Sequence, residues 1–283
     1  MGKERIGFIG QGYIGKNYAD DFERRGYSVV RYALEEPYLG NRESIKECDI
    51  VFIAVPTPTT PAGFDDSIVR NVMSLVGDGK IAVIKSTMVP GTTELLQRSN
   101  RRIKILYSPE FLCEATAAHD AAHPFTNIVG LSIENKEHKE AGEKVMSVLP
   151  KAPQFLFCHA TEAEYIKYTH NSLGYIKVVF VNMLYDMVER SGCRWEIIKK
   201  AMEADPMITN WYNDPVHKSG RGAGGHCFIK DFSALARHYE ELVGDKEGEG
   251  VFQSFERKNK KLLQQSNKDI DLLEGVYGKL EGV

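Results

Sequence analysis

The chain has 283 residues, of which 42% are apolar and 27% charged, and its formal net charge is −3. That composition belongs to a globular protein of one large or two moderate domains. No basic stripe suits a nucleic acid, and no apolar run reaches the roughly 18 to 20 residues of a membrane helix.

The N-terminus reads Lys3-Glu4-Arg5, which is not a signal peptide. Arg5 to Ile9 reads as a buried strand. Gly10-Gln11-Gly12-Tyr13-Ile14-Gly15 follows at once, and Lys16 to Arg25 reads as a helix. This is G-x-G-x-x-G between a strand and a helix, the setting in which it binds a dinucleotide. The first glycine permits the tight turn, the second lets a pyrophosphate approach the backbone, and the third lets helix and strand pack closely. The helix N-terminus offers free N–H groups to the phosphates. Further strands are predicted at 28–32, 50–54, 81–85, 103–107 and 127–131. Strands alternating with crossovers imply an α/β fold, a Rossmann-type doubly wound sheet that is mostly parallel. This dinucleotide-binding domain is placed at 1–158.

Thr161 to Arg190 has one Gly and no Pro, and its apolar residues recur at helical spacing, so it reads as a long helix. It opens a small all-α central domain at 159–243, with further helices at 195–203 and 232–243. A Gly- and Pro-rich loop, 205–227, lies between these two helices. The stretch 244–250 reads as a polar linker, and 251–283 as one or two amphipathic helices. Together 244–283 form a helical tail.

Several strand ends carry candidate ligand contacts, because open α/β sheets bind ligands there. After the second strand the acid that holds a ribose is displaced: Ala33 is near the expected position and Glu35 slightly beyond. Glu35 reaching the ribose of NAD, Arg31 favouring a 2′-phosphate, and a loosely held ribose all fit. Pro56 and Thr57 follow the third strand and Thr87 the fourth; simple turn chemistry would explain either segment alone. Ser108-Pro109-Glu110-Phe111-Leu112-Cys113-Glu114 follows the fifth, offering Glu110 as general base and Glu114 as a contact. On the long helix Lys167 and Asn171 are four apart and share a face, as two donors to a developing oxyanion would. The five cysteines, Cys48, Cys113, Cys158, Cys193 and Cys227, lie far apart with no C-x-x-C pair, which argues against disulfides or a metal site and for a reducing cytoplasm. Only Cys227 has reactive surroundings. Gly222, Gly224 and Gly225 before it permit close approach of a ligand, and His226 and Lys230 favour a thiolate.

Taken in order over roughly 5–240, these motifs resemble the UDP-glucose/GDP-mannose dehydrogenase family: the glycine turn, Val55-Pro56-Thr57-Pro58, the Ser86-Thr87 segment with Pro90-Gly91-Thr92, Ser108-Pro109-Glu110-Phe111-Leu112, the Lys167/Asn171 helix, and Gly224-Gly225-His226-Cys227-Phe228-Ile229-Lys230-Asp231. The resemblance implies oxidation of a sugar-nucleotide alcohol to a carboxylate with two NAD. Cys227 would hold the aldehyde as a thiohemiacetal and then a thioester, and Glu110 would activate water to hydrolyse it. Lys167 and Asn171 would stabilise oxyanions, Asp231 would orient Lys167 or a water, and Thr87 would position substrate or that water. Phe111, Leu112, Glu114 and the loop glycines would contact substrate; Tyr13, Ile14, Pro56, Thr57, Thr87 and Glu114 would line the cofactor. A homodimer built on the long helix and the central domain is implied as well.

Departures from the family pattern are specific. The tail stands where the family adds a second Rossmann-like domain. Met207 stands in place of an Arg, and Ala223 in place of an aromatic residue. His226 resembles relatives acting on N-acetylmannosamine nucleotides, whereas Phe228, Lys230 and Asp231 resemble those acting on glucose nucleotides, so the sugar stays open. Two other readings remain beside the four-electron enzyme. One is a sugar-nucleotide-binding or regulatory homologue. The other is a two-electron β-hydroxyacid dehydrogenase, which has no need of the cysteine.

Overall fold

A computed structural model describes residues 3–279; the predicted domain ends at 1–2 and 280–283 lie outside the described residues. In chain order the strands are β1 (Arg5–Ile9), β2 (Ser28–Tyr32), β3 (Ile50–Ile53), β4 (Thr59–Thr60), β5 (Gly63–Phe64), β6 (Ile81–Ile84), β7 (Lys104–Tyr107), β8 (Asn127–Leu131), β9 (Phe155–His159), β10 (Val216–His217) and β11 (Gly220–Arg221). The α-helices are α1 (Tyr13–Arg24), α2 (Ser67–Val72), α3 (Thr92–Ser99), α4 (Ala117–Ala122), α5 (Lys136–Val148), α6 (Ala160–Arg190), α7 (Trp195–Ala204), α8 (Gly225–Leu242), α9 (Lys246–Gln265) and α10 (Ile270–Tyr277). The chain divides into two compact units, Met1–Thr57 with Asp65–Lys167, and Pro58–Phe64 with Tyr168–Val283.

The first unit is built on a seven-stranded sheet of order β2-β1-β3-β6-β7-β8-β9. Every neighbouring pair is parallel except β7 with β8. The inner strands β3 (IVFI) and β6 (IAVI) are buried throughout, because helices cover both faces of a parallel sheet and leave no polar side. Phe8, Phe22 and Phe52 form the centre of the core; Phe8 stacks on Phe52 at 5.0 Å and Phe22 lies within 5.5 Å of both. The chain leaves β1 for β2 on one side and returns past it to β3 on the other. The ends of β1 and β3 therefore flank the crevice where such sheets bind ligands.

The second unit is mainly helical. Tyr175 of α6 stacks on Phe232 of α8 at 3.9 Å, and Phe252 and Phe255 of α9 pack around them. A second cluster joins Ile229, Leu263, Leu273 and Val276 across α8, α9 and α10. The short β4–β5 hairpin belongs to this unit: Thr59 Oγ1 donates to the Lys230 carbonyl at 3.0 Å, and Arg237 donates to the Thr60 carbonyl at 2.9 Å.

Three expectations from sequence need correction. β9 was not anticipated; it is an edge strand whose Phe155, Leu156 and Phe157 are all exposed, so it lacks the alternation of a half-buried strand. Helix α8 begins at Gly225 rather than 232, which puts Cys227 in a first helical turn instead of a loop. The stretch 246–250 is helix and not linker: Asp245 caps α9 by accepting from the Gly248 N–H at 2.8 Å. Gly248 itself is required by packing, since a Cβ there would lie 2.2 Å from the Tyr239 hydroxyl.

Phe52→Ala is expected to lower the unfolding free energy by about 3–5 kcal/mol, as removal of a fully buried aromatic does, with the loss read from urea midpoints.

Candidate active site

The glycine turn follows β1 directly, and each glycine has its own physical reason. Gly10 has φ 91°, and a Cβ there would lie 2.3 Å from the Ala54 carbonyl oxygen. A Cβ on Gly15 would lie 1.9 Å from the Gly10 carbonyl oxygen. Gly12 has nothing within 4 Å on that side, so the space beside its backbone is open. Gly12 is also the cap residue of α1, and the first turn of that helix holds no acid. A helix start beside open backbone is the cradle that a pyrophosphate needs. Tyr13 is exposed and Ile14 half-buried beside it. Glu35 is exposed beyond β2. Arg31 lies between Asp20 and Glu23 of α1 at 2.7 Å each, so its charge is taken up within the protein rather than offered to a 2′-phosphate.

At the next strand ends, the Thr57 hydroxyl donates to the Thr87 carbonyl at 2.9 Å and joins two of the predicted segments; both side chains are buried, and Pro56 is exposed. After β7, Glu110 is 4% exposed and meets Lys167 of α6 in a buried pair: Lys167 Nζ donates to Glu110 Oε1 at 2.9 Å and to the Glu110 carbonyl at 2.6 Å. The Leu112 N–H donates to Glu110 Oε2 at 2.8 Å. Burial pushes the Glu110 carboxyl up. The Lys167 charge and hydrogen bond, the Leu112 N–H and the Lys85 charge outweigh burial and hold it below its ordinary range. The Phe111 ring lies 5.4 Å from Lys167 Nζ, Leu112 is half-buried and Glu114 exposed.

In the second unit, Asn171 Nδ2 donates to Asp231 Oδ2 at 2.6 Å, and Lys230 Nζ donates to Asp231 Oδ1 at 2.5 Å. Asp231 thus takes Asn171 and Lys230, where Lys167 or a water was expected. Cys227 is exposed in the first turn of α8, four residues before Asp231 and therefore on its face of the helix. Beside the loop glycines, a Cβ on Gly222 would meet Asn259 and Leu262, and one on Gly224 would meet Asp269 and Lys268. Gly225, at φ 79°, has open space.

Two models of one family match this chain: the UDP-glucose/GDP-mannose dehydrogenase NAD-binding domain over 39–149 and the central domain over 161–260. The chain belongs to the UDP-glucose/GDP-mannose dehydrogenase family. A putative UDP-glucose 6-dehydrogenase of Bacillus subtilis (strain 168) is 29% identical over 206 residues, covering 69% of this chain and 47% of that protein. The UDP-glucose 6-dehydrogenase of Rickettsia prowazekii (strain Madrid E) is 28% identical over 237 residues, covering 78% and 53%. The chain thus spans about half the length of these curated relatives. Among solved structures, a UDP-glucose dehydrogenase from Pyrobaculum islandicum superposes with a TM-score of 0.81 at 25% identity, over 99% of this chain and 73% of that one. The first unit carries the family's NAD-binding domain, and NAD is the dinucleotide that the Gly12 cradle and the engaged Arg31 fit.

Two buried residues were missed from sequence. Lys85, the last residue of a strand as predicted, is 2% exposed; it donates to the Ser108 carbonyl and hydroxyl at 3.2 Å and lies 4.4 Å from the Tyr18 ring. Burial pushes it down to about 7, against the Glu110 charge and with the Lys167 charge. Its position after four apolar residues at a strand's carboxyl end was the available signal. Glu164, fully buried on α6, accepts from the N–H groups of Gly91 at 2.6 Å and Thr93 at 2.9 Å and from the Thr93 hydroxyl at 2.5 Å. Burial pushes its carboxyl up to about 7 despite these donors.

Gly12→Ala is expected to keep stability within about 1 kcal/mol yet weaken NAD at least about tenfold, because its Cβ occupies only the ligand's space. Gly15→Ala should instead cost roughly 1–3 kcal/mol of stability by overpacking. Thermal unfolding and calorimetric titration with NAD separate the two. Lys167→Met should cost about 3–5 kcal/mol at neutral pH by stranding the Glu110 charge. The folded Glu110 carboxyl titrates below its unfolded value, so its stabilisation is complete above the ordinary carboxylate range and is lost as pH falls through the folded value. In Lys167→Met burial is no longer outweighed by that charge, so the folded carboxyl should titrate above its unfolded value and part of the lost stability should return as pH falls, read from urea midpoints across the acid range.

Proposed function

We propose that this protein oxidises a primary alcohol of a nucleotide sugar to the carboxylate, with Cys227 as nucleophile. One observation carries the reading: Cys227 occupies the first turn of α8, and Asp231, one turn further on, receives the Asn171 amide at 2.6 Å. Thiol and amide are thereby tied to one helix end, as a thiol adding to a carbonyl beside an oxyanion donor requires.

NAD, when bound, accepts one hydride in each of two oxidations. The Cys227 thiolate adds to the carbonyl carbon of the first product, an aldehyde, and forms a C–S bond. Asn171 and Lys167 donate hydrogen bonds to the oxyanion, which takes up a proton to give a thiohemiacetal. That carbon still bears a hydrogen, so its oxidation gives a thioester. Glu110, held ionised by Lys167, takes a proton from the water that attacks the thioester carbon. The C–S bond breaks, the thiolate leaves, and the acid forms. In this reading Thr87 positions the substrate or that water, Phe111, Leu112, Glu114 and Gly225 contact substrate, and Asp231 orients Asn171.

A homodimer is part of the proposal. Leu173, Phe180 and Met187 recur every seven residues on α6 and are 62%, 50% and 65% exposed, a stripe that a second copy would cover. Among the described residues no helix is long and apolar enough to cross a membrane; cytoplasmic placement rests on the cysteine spacing.

A second reading, sugar-nucleotide binding without turnover, is favoured by Met207, 89% exposed where the family has Arg. Incubation with a panel of UDP- and GDP-sugars, followed by NADH absorbance and product analysis, decides between them. The dehydrogenase should form two NADH per sugar acid, and Cys227→Ser should stop short of the acid. Acid formation by Cys227→Ser at the unaltered rate would remove the thiol from the mechanism, and tight calorimetric binding without NADH would favour the second reading. Light scattering should give a dimer that Phe180→Asp converts to a monomer.

A further inference from the structure

Five of the six residues Gly220–Gly225, immediately before His226-Cys227, are bonded through their main chain to four side chains that come much later in sequence. Lys268 Nζ donates to the carbonyls of Gly220 at 3.3 Å and Gly222 at 3.0 Å. The Arg221 N–H donates to Ser266 Oγ at 2.9 Å. Asn259 grips Ala223 from both sides, accepting from its N–H at 2.7 Å and donating to its carbonyl at 2.9 Å. Asp269 Oδ2 accepts from the Gly225 N–H at 2.7 Å, which caps α8 in the turn that carries Cys227. The approach is close enough to exclude side chains: a Cβ on Gly220 would lie 2.4 Å from Ser266 Cβ, and one on Gly224 would lie 2.0 Å from Asp269 Oδ2.

Packing alone does not require these residue types. Lys268 is 5% exposed, and a buried ammonium carries a desolvation penalty that a neutral donor would avoid. Burial pushes it down, with the Lys218 charge acting the same way and the Asp269 charge opposing. Asp269 is held at φ 52°, a left-handed conformation that costs a side-chain-bearing residue roughly 1 kcal/mol or more. Strain and a buried charge sit side by side, in adjoining residues whose side chains bond to the main chain that leads to the thiol. Ser266, Lys268 and Asp269 also lie beyond residue 260, where the match to the family's central domain ends.

We propose that Lys268 and Asp269 form a clasp that positions Cys227: Asp269 fixes the first turn of α8 and sets the charge at that helix terminus, and Lys268 fixes Asp269 and the loop behind it. This rests on Cys227 as the nucleophile. A bare helix N-terminus favours the thiolate. A carboxylate on the terminal N–H offsets that field, so Asp269 sets the titration of the thiol as well as its place on α8. His226 and the mutually paired Lys230 and Asp231 also carry charge or titrate on this end of α8, and the Lys218 charge acts on Lys268.

The test is alkylation of the full-length protein by iodoacetamide across pH, with site-resolved mass spectrometry. Cys113 and Cys193, both exposed, serve as internal references. Asn at position 269 can still accept from the Gly225 N–H, so Asp269→Asn removes charge and leaves the hydrogen bond. It should move the Cys227 midpoint down by about half a pH unit, the effect of one charge at a helix end, with the reference cysteines unmoved. Lys268→Gln should move it the opposite way, and reads the same clasp should Asp269→Asn fail to fold. In turnover, Asp269→Asn should move the acid limb of the kcat–pH profile down with the Cys227 midpoint and leave KM for NAD unchanged. Unmoved Cys227 midpoints in both variants would overturn the clasp. Alkylation needs no turnover, so it decides the clasp even if Cys227→Ser shows that the acid forms without the thiol.

Discussion

The pair of Lys167 with Glu110 is the contact that holds α6 to the loop after β7 in the first unit. An ammonium and a carboxylate, both almost fully buried, meet at 2.9 Å, and the same ammonium also takes the Glu110 carbonyl. Taking two charges out of water offsets most of what their attraction gains, so such a pair adds little stability over an apolar substitute. What it supplies is geometry and charge state. Glu164, one turn earlier on α6, does comparable work by collecting the N–H groups at the start of α3. Between them they fasten the first turns of α6 to the loops after β6 and β7, and four residues past Lys167 the same helix delivers Asn171.

The two glycine-rich stretches have opposite physical meanings. At 10–15, two glycines are demanded by backbone contact with Ala54 and Gly10, and the third is left bare. That bareness is what a ligand needs. At 220–225, the crowding comes from the chain's own later helices, and only Gly225 keeps open space. A motif search treats the two alike, because it records the absence of a side chain and not what fills the gap.

The same limit explains what was legible in sequence. The glycine turn, the buried strands and α6 each carry their signal locally, in a period or a fixed spacing, and they fall where the pattern puts them. The start of α8 does not, because its cap is Asp269, a residue 44 positions away. The start of α9 is masked by its glycines, of which Gly248 is there for the Tyr239 hydroxyl rather than for flexibility. β9 is hidden because an edge strand with exposed aromatic residues breaks the rule that apolar means inside. Among the candidate site residues, Glu110, Lys167, Asn171 and Cys227 are picked out by residue type and order and Asp231 by the family resemblance, and the pairing of Asp231 with Asn171 comes only from the fold. Lys85 had a weaker signal, four apolar residues before it at a strand's carboxyl end, which a lysine reaching water can share.

The late origin of the loop's partners also has a consequence for the order of folding. The sheet of the first unit joins mostly neighbouring segments, whereas residues 220–225 wait for side chains that arrive up to residue 269. Closing that long connection costs entropy that its hydrogen bonds return only when the last helices dock. On a growing chain the turn carrying Cys227 would therefore be among the last parts to set, with the thiol reaching its final orientation only after α9 and the start of α10 have left the ribosome.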